Sequence, residues 1–176
     1  KKKSRNLGHK QGIKTVEEII QASIKKKIKY LTLYTFSSEN WKRPKIEIKF
    51  LFNLLENYID DELSSIDKKK IKIKIIGDLK KFPKRLKNKL KLVEKKTSNN
   101  SLLQINLALN YGSRQEITNT VNKLIKKNEI VSENKISNNL YTAKIPDPDI
   151  LIRTGNTNRL SNFLLWQIAY SEIFFV

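Results

Sequence analysis

The sequence predicts an α/β domain, a mostly parallel β-sheet flanked by helices on both faces. Three observations carry that prediction. Apolar runs of strand length, at residues 30–36, 71–77, 102–109 and 149–152, alternate with longer stretches of helical periodicity. The runs are rich in Ile, Leu, Tyr and Phe and turn largely apolar, as strands buried on both sides do. Each run stops at polar residues, and open α/β sheets bind ligands beyond the carboxyl ends of their strands.

The elements follow in order. Residues 1–12, KKKSRNLGHKQG, read as a basic, irregular segment. Thr15-Val16-Glu17-Glu18 has the form of a capping box, and Val16, Ile19, Ile20, Ser23, Ile24, Lys27 and Ile28 fall on one stripe, predicting a helix over Thr15 to Lys27. Tyr30 to Phe36 reads as a buried strand ending at Ser37-Ser38-Glu39-Asn40-Trp41. Pro44 suits the start of a helix. From Ile46 to Leu63 the positions Ile46, Phe50, Leu51, Leu54, Leu55, Tyr58, Ile59 and Leu63, with Ile48 and Phe52 added, form a stripe wider than one core face needs. Such a helix is either clamped on two sides or lines an apolar cavity. Ile71 to Gly77 is a strand with Asp78 at its end, and Phe82 to Lys96 is a lysine-coated helix with Leu86, Leu90 and Val93 inward. Leu102 to Leu109 is the third strand, stopping at Asn110-Tyr111-Gly112-Ser113-Arg114. Ile117, Val121, Leu124 and Ile125 mark the next helix, residues 128–140 a loop with a short helix, and Pro146-Asp147-Pro148 a break before the strand that opens at Asp149.

Composition bounds the function. A chain of 176 residues is one domain with room for a core. Without cysteine there is no disulfide framework and no thiolate metal site, a composition compatible with a reducing cytoplasm. No secretory signal or membrane span is visible. With 36 basic and 17 acidic residues the formal charge is +19, which invites a nucleic-acid or anionic-membrane reading. The arginines argue against it: there are six, and the other basic residues are lysines dispersed among Ile and Asn, a solvated surface of the kind an AT-rich coding sequence favours. No nucleic-acid partner is expected.

The chemistry concentrates in Asp149 to Phe175. Arg153 ends a strand, and a guanidinium there can grip a phosphate with two parallel hydrogen bonds. Arg159 and Ser161-Asn162 follow on the same loop, so two cations and a hydroxyl are expected to converge on a diphosphate. Glu172 sits among Tyr170, Ile173, Phe174 and Phe175, where a carboxylate needs a metal, a proton transfer or an ion pair as partner.

Six ordered blocks then resemble one family. They are Gly8-His9-Lys10-x-Gly12; Phe36-Ser37-Ser38-Glu39-Asn40-Trp41-x-Arg43-Pro44; Ile75-Ile76-Gly77-Asp78; Asn110-Tyr111-Gly112-x-Arg114; Ile152-Arg153-Thr154-Gly155; and Arg159-x-Ser161-Asn162-Phe163-Leu164-Leu165-Trp166-Gln167 through Glu172. Together they are similar to the bacterial cis-prenyltransferases, the undecaprenyl diphosphate synthases, over nearly the whole chain. The resemblance implies a homodimeric α/β enzyme with a parallel sheet and a hydrophobic tunnel. It further implies a Mg²⁺-dependent condensation of isopentenyl diphosphate onto farnesyl diphosphate with cis geometry, yielding a polyprenyl carrier for cell-wall synthesis. The expected location is the cytoplasm, with peripheral membrane contact through the lipid product.

By the same resemblance, Arg153, Arg159 and Ser161 form the clamp on isopentenyl diphosphate and Glu172 is a Mg²⁺ ligand. Arg5 and His9 lie near the allylic diphosphate. Asn40 and Arg43 are the catalytic polar pair on a mobile loop, with Ser37, Ser38 and Glu39 alongside and Trp41 either anchoring the core or covering substrate. Asp78 and Arg114 read as structural strand-end partners. Two departures are expected to matter. The family's Asp-Gly-Asn-Gly-Arg-Trp phosphate loop should lie just before Lys1, so residues 1–176 by themselves are expected to lack part of the metal site, along with a first strand and the C-terminal end, and to be inactive. Asn156-Thr157-Asn158 replaces the usual Gly-Glu-x before Arg159, removing a glycine and a carboxylate. The competing readings are a catalytically silent relative serving as a dimer partner, and a basic nucleic-acid-binding domain.

Overall fold

The computed structural model describes residues 5–176, except the side chains of Arg5, Asn6, Leu7, His9 and Lys10 and of residues 62–64 and 67. The elements run α1 (Arg5–Lys25), β1 (Tyr30–Ser37), a 3₁₀ turn (Ser38–Lys42), α2 (Lys45–Lys68), β2 (Ile71–Ile76), α3 (Lys84–Lys96), β3 (Leu103–Tyr111), α4 (Ser113–Lys126), α5 (Glu133–Ser137), β4 (Ile150–Arg153) and β5 (Glu172–Phe175). Every strand pairing is parallel. β3 lies between β1 and β2, while β4 and β5 pair as a second sheet. The parallel α/β class is therefore as the sequence predicts. Parallel neighbours require helical crossovers, which α2 and α3 provide.

One face of the three-stranded sheet carries Leu31, Leu33, Phe36, Ile71, Ile73, Leu103, Ile105 and Leu109 against α1, α2 and α3. α2 buries Ile48, Phe52 and Ile59 there, a row at four- and seven-residue spacing. Phe50, Leu54 and Tyr58 sit half-buried on another face, and Ile46 is exposed. The wide stripe thus resolves into one core row and a second, half-buried row. A second core joins Ile76, Ala108 and Tyr111 to Leu151, Phe163, Leu164 and Ile168, with Tyr34 packed against it. This core covers the carboxyl end of the other face. Nearer the strands' amino ends that face is polar, with Asn106 donating to Thr32 at 3.0 Å and accepting from Gln104 at 2.9 Å.

β2 is an edge strand whose outer backbone groups are answered by α3 and the turn that follows it. Thr97 Oγ1 accepts from Ile73 N at 3.0 Å, Glu94 Oε1 from Ile75 N at 2.8 Å, and Asn100 donates to Ile71 O at 3.0 Å. Side chains thereby occupy groups that would otherwise template another strand. Gly77 ends β2 at φ +119°, where a Cβ would stand 2.1 Å from Leu109 O; only glycine fits.

Three expectations need correcting. Residues 5–12 are helical rather than irregular, because α1 begins at Arg5 and runs through Gly8 and Gly12. Thr15 therefore caps nothing, and its hydroxyl donates back to Gln11 O at 3.3 Å inside the helix. The helix ends close to the expected place, through bonds from Ile28 N to Ser23 O and from Lys27 N to Ile24 O, with Lys27 left-handed at φ 57°. That is a Schellman stop with lysine where glycine is usual. The second correction lies at α3, which starts at Lys84; Phe82 precedes it and is buried at 3% exposure. Third, Glu172–Phe175, given no element by the sequence, is a strand paired with β4.

Candidate active site

Polar residues gather where β1, β3 and β4 end. Beyond β1 the chain turns tightly, and Asn40 helps to make the turn by accepting from Ser37 N at 3.1 Å and, through its backbone oxygen, from Arg43 N at 3.0 Å. Ser38 Oγ donates to Glu39 Oε2 at 3.1 Å, and Arg43 pairs with Glu47 one helical turn on, at 2.9 Å. Trp41 is a packing anchor. Its ring meets Phe36, Phe52 and Phe82 edge to face at 5.2, 5.7 and 5.8 Å, and its Nε1 donates to Asn110 Oδ1 at 2.8 Å. Asn110, left-handed at φ 48°, also donates to Asp78 O at 2.6 Å, so the ends of β1, β2 and β3 share one amide.

The loop after β4 closes onto the same region. Tyr34 OH lies 3.2 Å from both Tyr111 O and Ser161 O, and its ring stacks on Phe163 at 4.4 Å. Burial, then the Glu39 charge, push the Tyr34 hydroxyl up to about 12, with Arg153 acting the other way. Ser161, Asn162 and Leu164 are all left-handed, at φ 52°, 62° and 46°. Such a run of non-glycine residues persists only where surrounding bonds over-determine it. Those bonds are Ser113 N to Asn162 O at 2.9 Å, Arg114 N to Asn162 Oδ1 at 2.9 Å and Leu165 N to Ser113 Oγ at 3.0 Å.

Behind this loop a buried carboxylate joins three segments. Glu116 is 2% exposed; it accepts from Tyr111 OH at 2.6 Å, from Tyr141 N at 2.6 Å and from Gln167 Nε2 at 3.3 Å. Desolvation raises its pKa, against those three bonds, and burial followed by the Glu116 charge raises that of Tyr111.

The predicted site residues are placed unevenly. Ser37, Ser38, Glu39, Asn40, Trp41 and Arg43 lie together on the turn after β1. Arg153 ends β4 half-buried, but its Nε and Nη2 donate to Thr157 Oγ1 at 3.1 and 2.9 Å. Thr157, at the position of the missing carboxylate, thus answers the guanidinium with a neutral hydroxyl. Arg159 is exposed, and among the described contacts none joins it to Arg153 or Ser161; the expected convergence is one of neighbouring positions on a loop. Glu172 opens β5 exposed to solvent, not enclosed among its apolar neighbours, and its backbone N donates to Asp149 O at 2.9 Å. Arg5 and His9 fall in α1, and their side chains lie outside the described residues. Sequence reasoning assigned no role to Tyr34, Gly112 or Asn162. The signal for Asn162 was present, since it sits inside the Arg-x-Ser-Asn block.

Among the described residues no group of three or more His, Cys, Asp or Glu is placed to cage a metal. Mg²⁺ does not require one, because it is commonly held by one or two carboxylates together with substrate phosphates and waters. An exposed Glu172 fits that mode of binding. At the opposite end of the sheet, beside the start of β2, a cavity of about 760 Å³ lies between α1 and α2. Ile20, Tyr58, Ile66 and Ile71 form its apolar wall, with Glu17 and Lys69 among its charged lining. No helix of the described residues is long and apolar enough to cross a membrane.

Comparison with known proteins accords with this arrangement. Residues 1–176 match the family described as "Putative undecaprenyl diphosphate synthase". An isoprenyl transferase of Helicobacter hepaticus is 48% identical over 98% of this chain and 77% of its own length. A ditrans,polycis-undecaprenyl-diphosphate synthase of Buchnera aphidicola, named as specific for farnesyl diphosphate, is 45% identical over 98% of this chain and 72% of its own. The crystal structure of a probable undecaprenyl diphosphate synthase from Campylobacter jejuni superposes with a TM-score of 0.88 at 40% identity, covering 94% of this chain and 80% of that one. Lavandulyl diphosphate synthase from Lavandula x intermedia, solved with dimethylallyl diphosphate, superposes at 0.91 with 28% identity, over 97% and 77%. Parallel strands whose polar ends are drawn together, carrying the Ser-Ser-Glu-Asn-Trp and Arg-x-Ser-Asn blocks on facing loops, place this chain in the undecaprenyl diphosphate synthase family of prenyltransferases.

Proposed function

We propose that this prenyltransferase condenses isopentenyl diphosphate onto farnesyl diphosphate with cis geometry, building a long polyprenyl diphosphate that serves as a lipid carrier for cell-wall synthesis. The observation that carries the reading is the closure of the post-β4 loop onto the end of β1 through Tyr34, Ser161 and Asn162. It brings Ser161 and Asn162 of that loop to the end of β1 and the turn that follows, and Arg153 and Arg159 belong to the same loop. Arg153 and Arg159 would neutralise the isopentenyl diphosphate, with Ser161 adding a hydroxyl donor. Asn40 and Arg43 would act on the reacting allylic end, while Ser37, Ser38, Glu39 and Trp41 shape and close the site. Arg5 and His9 would serve the allylic diphosphate from α1. Condensation also requires removal of a proton from the isopentenyl carbon, and water must be kept from the allylic cation. Mg²⁺, bound by the diphosphates and Glu172, would supply charge neutralisation of the leaving group.

The growing chain would leave these loops along the half-buried Phe50, Leu54, Tyr58 row of α2 towards the cavity between α1 and α2. A homodimer belongs to the same reading, supported by exposed apolar side chains along β4 and β5: Ile150, Ile152, Phe174 and Phe175 are 56, 63, 51 and 42% exposed. The enzyme would act in the cytoplasm, with peripheral membrane contact through its lipid product. Incubation of the intact protein with both diphosphates and Mg²⁺, followed by chromatography of the dephosphorylated products, tests the reading. A ladder of cis-polyprenols is expected. Turnover of farnesyl diphosphate without chain elongation would refute it.

A further inference from the structure

Asn162 makes two contacts that no account of a diphosphate clamp requires. Its Oδ1 accepts from Arg114 N at 2.9 Å while its Nδ2 donates to Glu39 Oε1 at 2.9 Å. It thus spans from the amino end of α4 to the turn after β1, 123 residues away in sequence. The sequence provides for the span at Gly112. A Cβ there would stand 2.3 Å from Ser38 Oγ and 2.9 Å from Asn162 Nδ2, so a side chain at this position would push both groups out of their present places. We propose that Asn162 is a positioning residue that couples the isopentenyl-diphosphate loop to the turn carrying Asn40 and Arg43, with Gly112 as the gap that admits the strut.

The physical case is one of donor and acceptor polarity. The amide presents its oxygen to a backbone N–H and its nitrogen to a carboxylate, and only a side chain with both groups can satisfy both ends. Ser161 precedes Asn162 directly, and its backbone is held through Tyr34, so the loop can shift only if the strut shifts with it. On the other side Glu39 immediately precedes Asn40, whose side chain makes the turn. Displacing either loop breaks the Asn162 to Glu39 bond, which makes occupancy of one site felt at the other. This inference rests on the proposed function, since it names what the two loops hold.

A helix cap alone would also explain the bond to Arg114, and one substitution separates the roles. Aspartate caps as well as asparagine does, and its charge suits a helix amino end. Asn162→Asp therefore keeps the cap but sets two carboxylates against each other at Glu39. Adding Glu39→Gln restores a donor to that contact with the polarity reversed. The four proteins, wild type, Asn162→Asp, Glu39→Gln and the double variant, are assayed as intact enzyme. Asn162→Asp should melt no lower than wild type yet raise the KM for isopentenyl diphosphate about tenfold, leaving direct binding of farnesyl diphosphate alone unchanged. The double variant should return to within about threefold of Glu39→Gln. Gly112→Ala should reproduce the KM defect.

Multiplicative single and double effects, or a defect explained by a lowered melting temperature, would overturn the strut. Should Asn162→Asp fail to fold, Glu39→Ala cuts the same bond from an exposed residue; an unchanged KM in that variant overturns the proposal. Failure of the wild type to elongate at all would instead sink the functional reading, and the two failures are thereby distinguished.

Discussion

The hydroxyl of Tyr34 reaches the backbone oxygen of Ser161 at 3.2 Å, across 127 residues of sequence. The same hydroxyl lies 3.2 Å from Tyr111 O, and the Tyr34 ring stacks on Phe163 at 4.4 Å. One β1 side chain therefore fixes the height at which the post-β4 loop sits above the sheet. Tyr34→Phe keeps the stack and removes the hydroxyl. A neutral hydrogen bond contributes about 0.5–1.5 kcal/mol, so melting should fall modestly while the KM for isopentenyl diphosphate rises several-fold. Thermal melts and steady-state kinetics on the same samples decide it; an unaltered KM would leave the tyrosine a mere packing residue.

Arg159 tests the clamp. It is exposed, so its replacement by alanine should spare the fold. Loss of a charge-assisted contact to phosphate removes about 1.5–3 kcal/mol, roughly ten- to a hundredfold in kcat/KM for isopentenyl diphosphate, with farnesyl diphosphate binding unmoved. The reverse pattern would assign the loop to the other substrate.

Thr157 offers a finer probe, because its hydroxyl oxygen takes two donors from Arg153. Thr157→Val keeps the size and leaves the guanidinium unaligned. The expected change is a KM increase for isopentenyl diphosphate smaller than that of Arg159→Ala, at unchanged melting temperature. Varying that substrate at saturating farnesyl diphosphate gives the comparison.

Glu172 is predicted to act through Mg²⁺. Glu172→Gln should lower kcat and raise the Mg²⁺ concentration for half-maximal rate, while metal-free binding of farnesyl diphosphate is retained. Titrating Mg²⁺ against rate for both proteins checks this; identical Mg²⁺ curves would remove Glu172 from the metal site.

The Glu116 cluster gives a pH signature. Desolvation raises the folded-state pKa of Glu116 above its ordinary 4.5, so the protonated form is favoured by folding. For an acid shifted upward, stability is fully present below the ordinary value and is lost as pH rises through the folded value. Glu116→Gln forfeits an acceptor and should melt lower than wild type at acid pH, but it removes this titration. The gap between the two proteins should therefore narrow as pH increases from about 4 towards neutrality. Melting curves across that range are the measurement, and a constant gap would contradict the assignment.

The sequence by itself determined the elements with strong local signals. Strands β1, β2 and β3 were legible because each is an apolar run closed by polar residues, and α3 and α4 because their inward residues recur at helical spacing. The polar blocks that close the strands were legible as well. Local rules failed where a weak preference was outvoted. Gly8 and Gly12 argue against a helix at about 1 kcal/mol each, yet α1 runs through both. β5 was hidden because four residues are too few for a period to show and, unlike β4 after Pro146-Asp147-Pro148, no break sets it off from the apolar residues before it. Tertiary structure alone decided which row of α2 is core, that Trp41 anchors the aromatic cluster, that Thr157 holds Arg153, and that Asn162 meets Glu39. Except for the four-residue reach from Arg153 to Thr157, each is a relation between residues far apart in the chain, or between one face of an element and another. Spacing in sequence sets which side chains share a face, but only packing sets what that face meets.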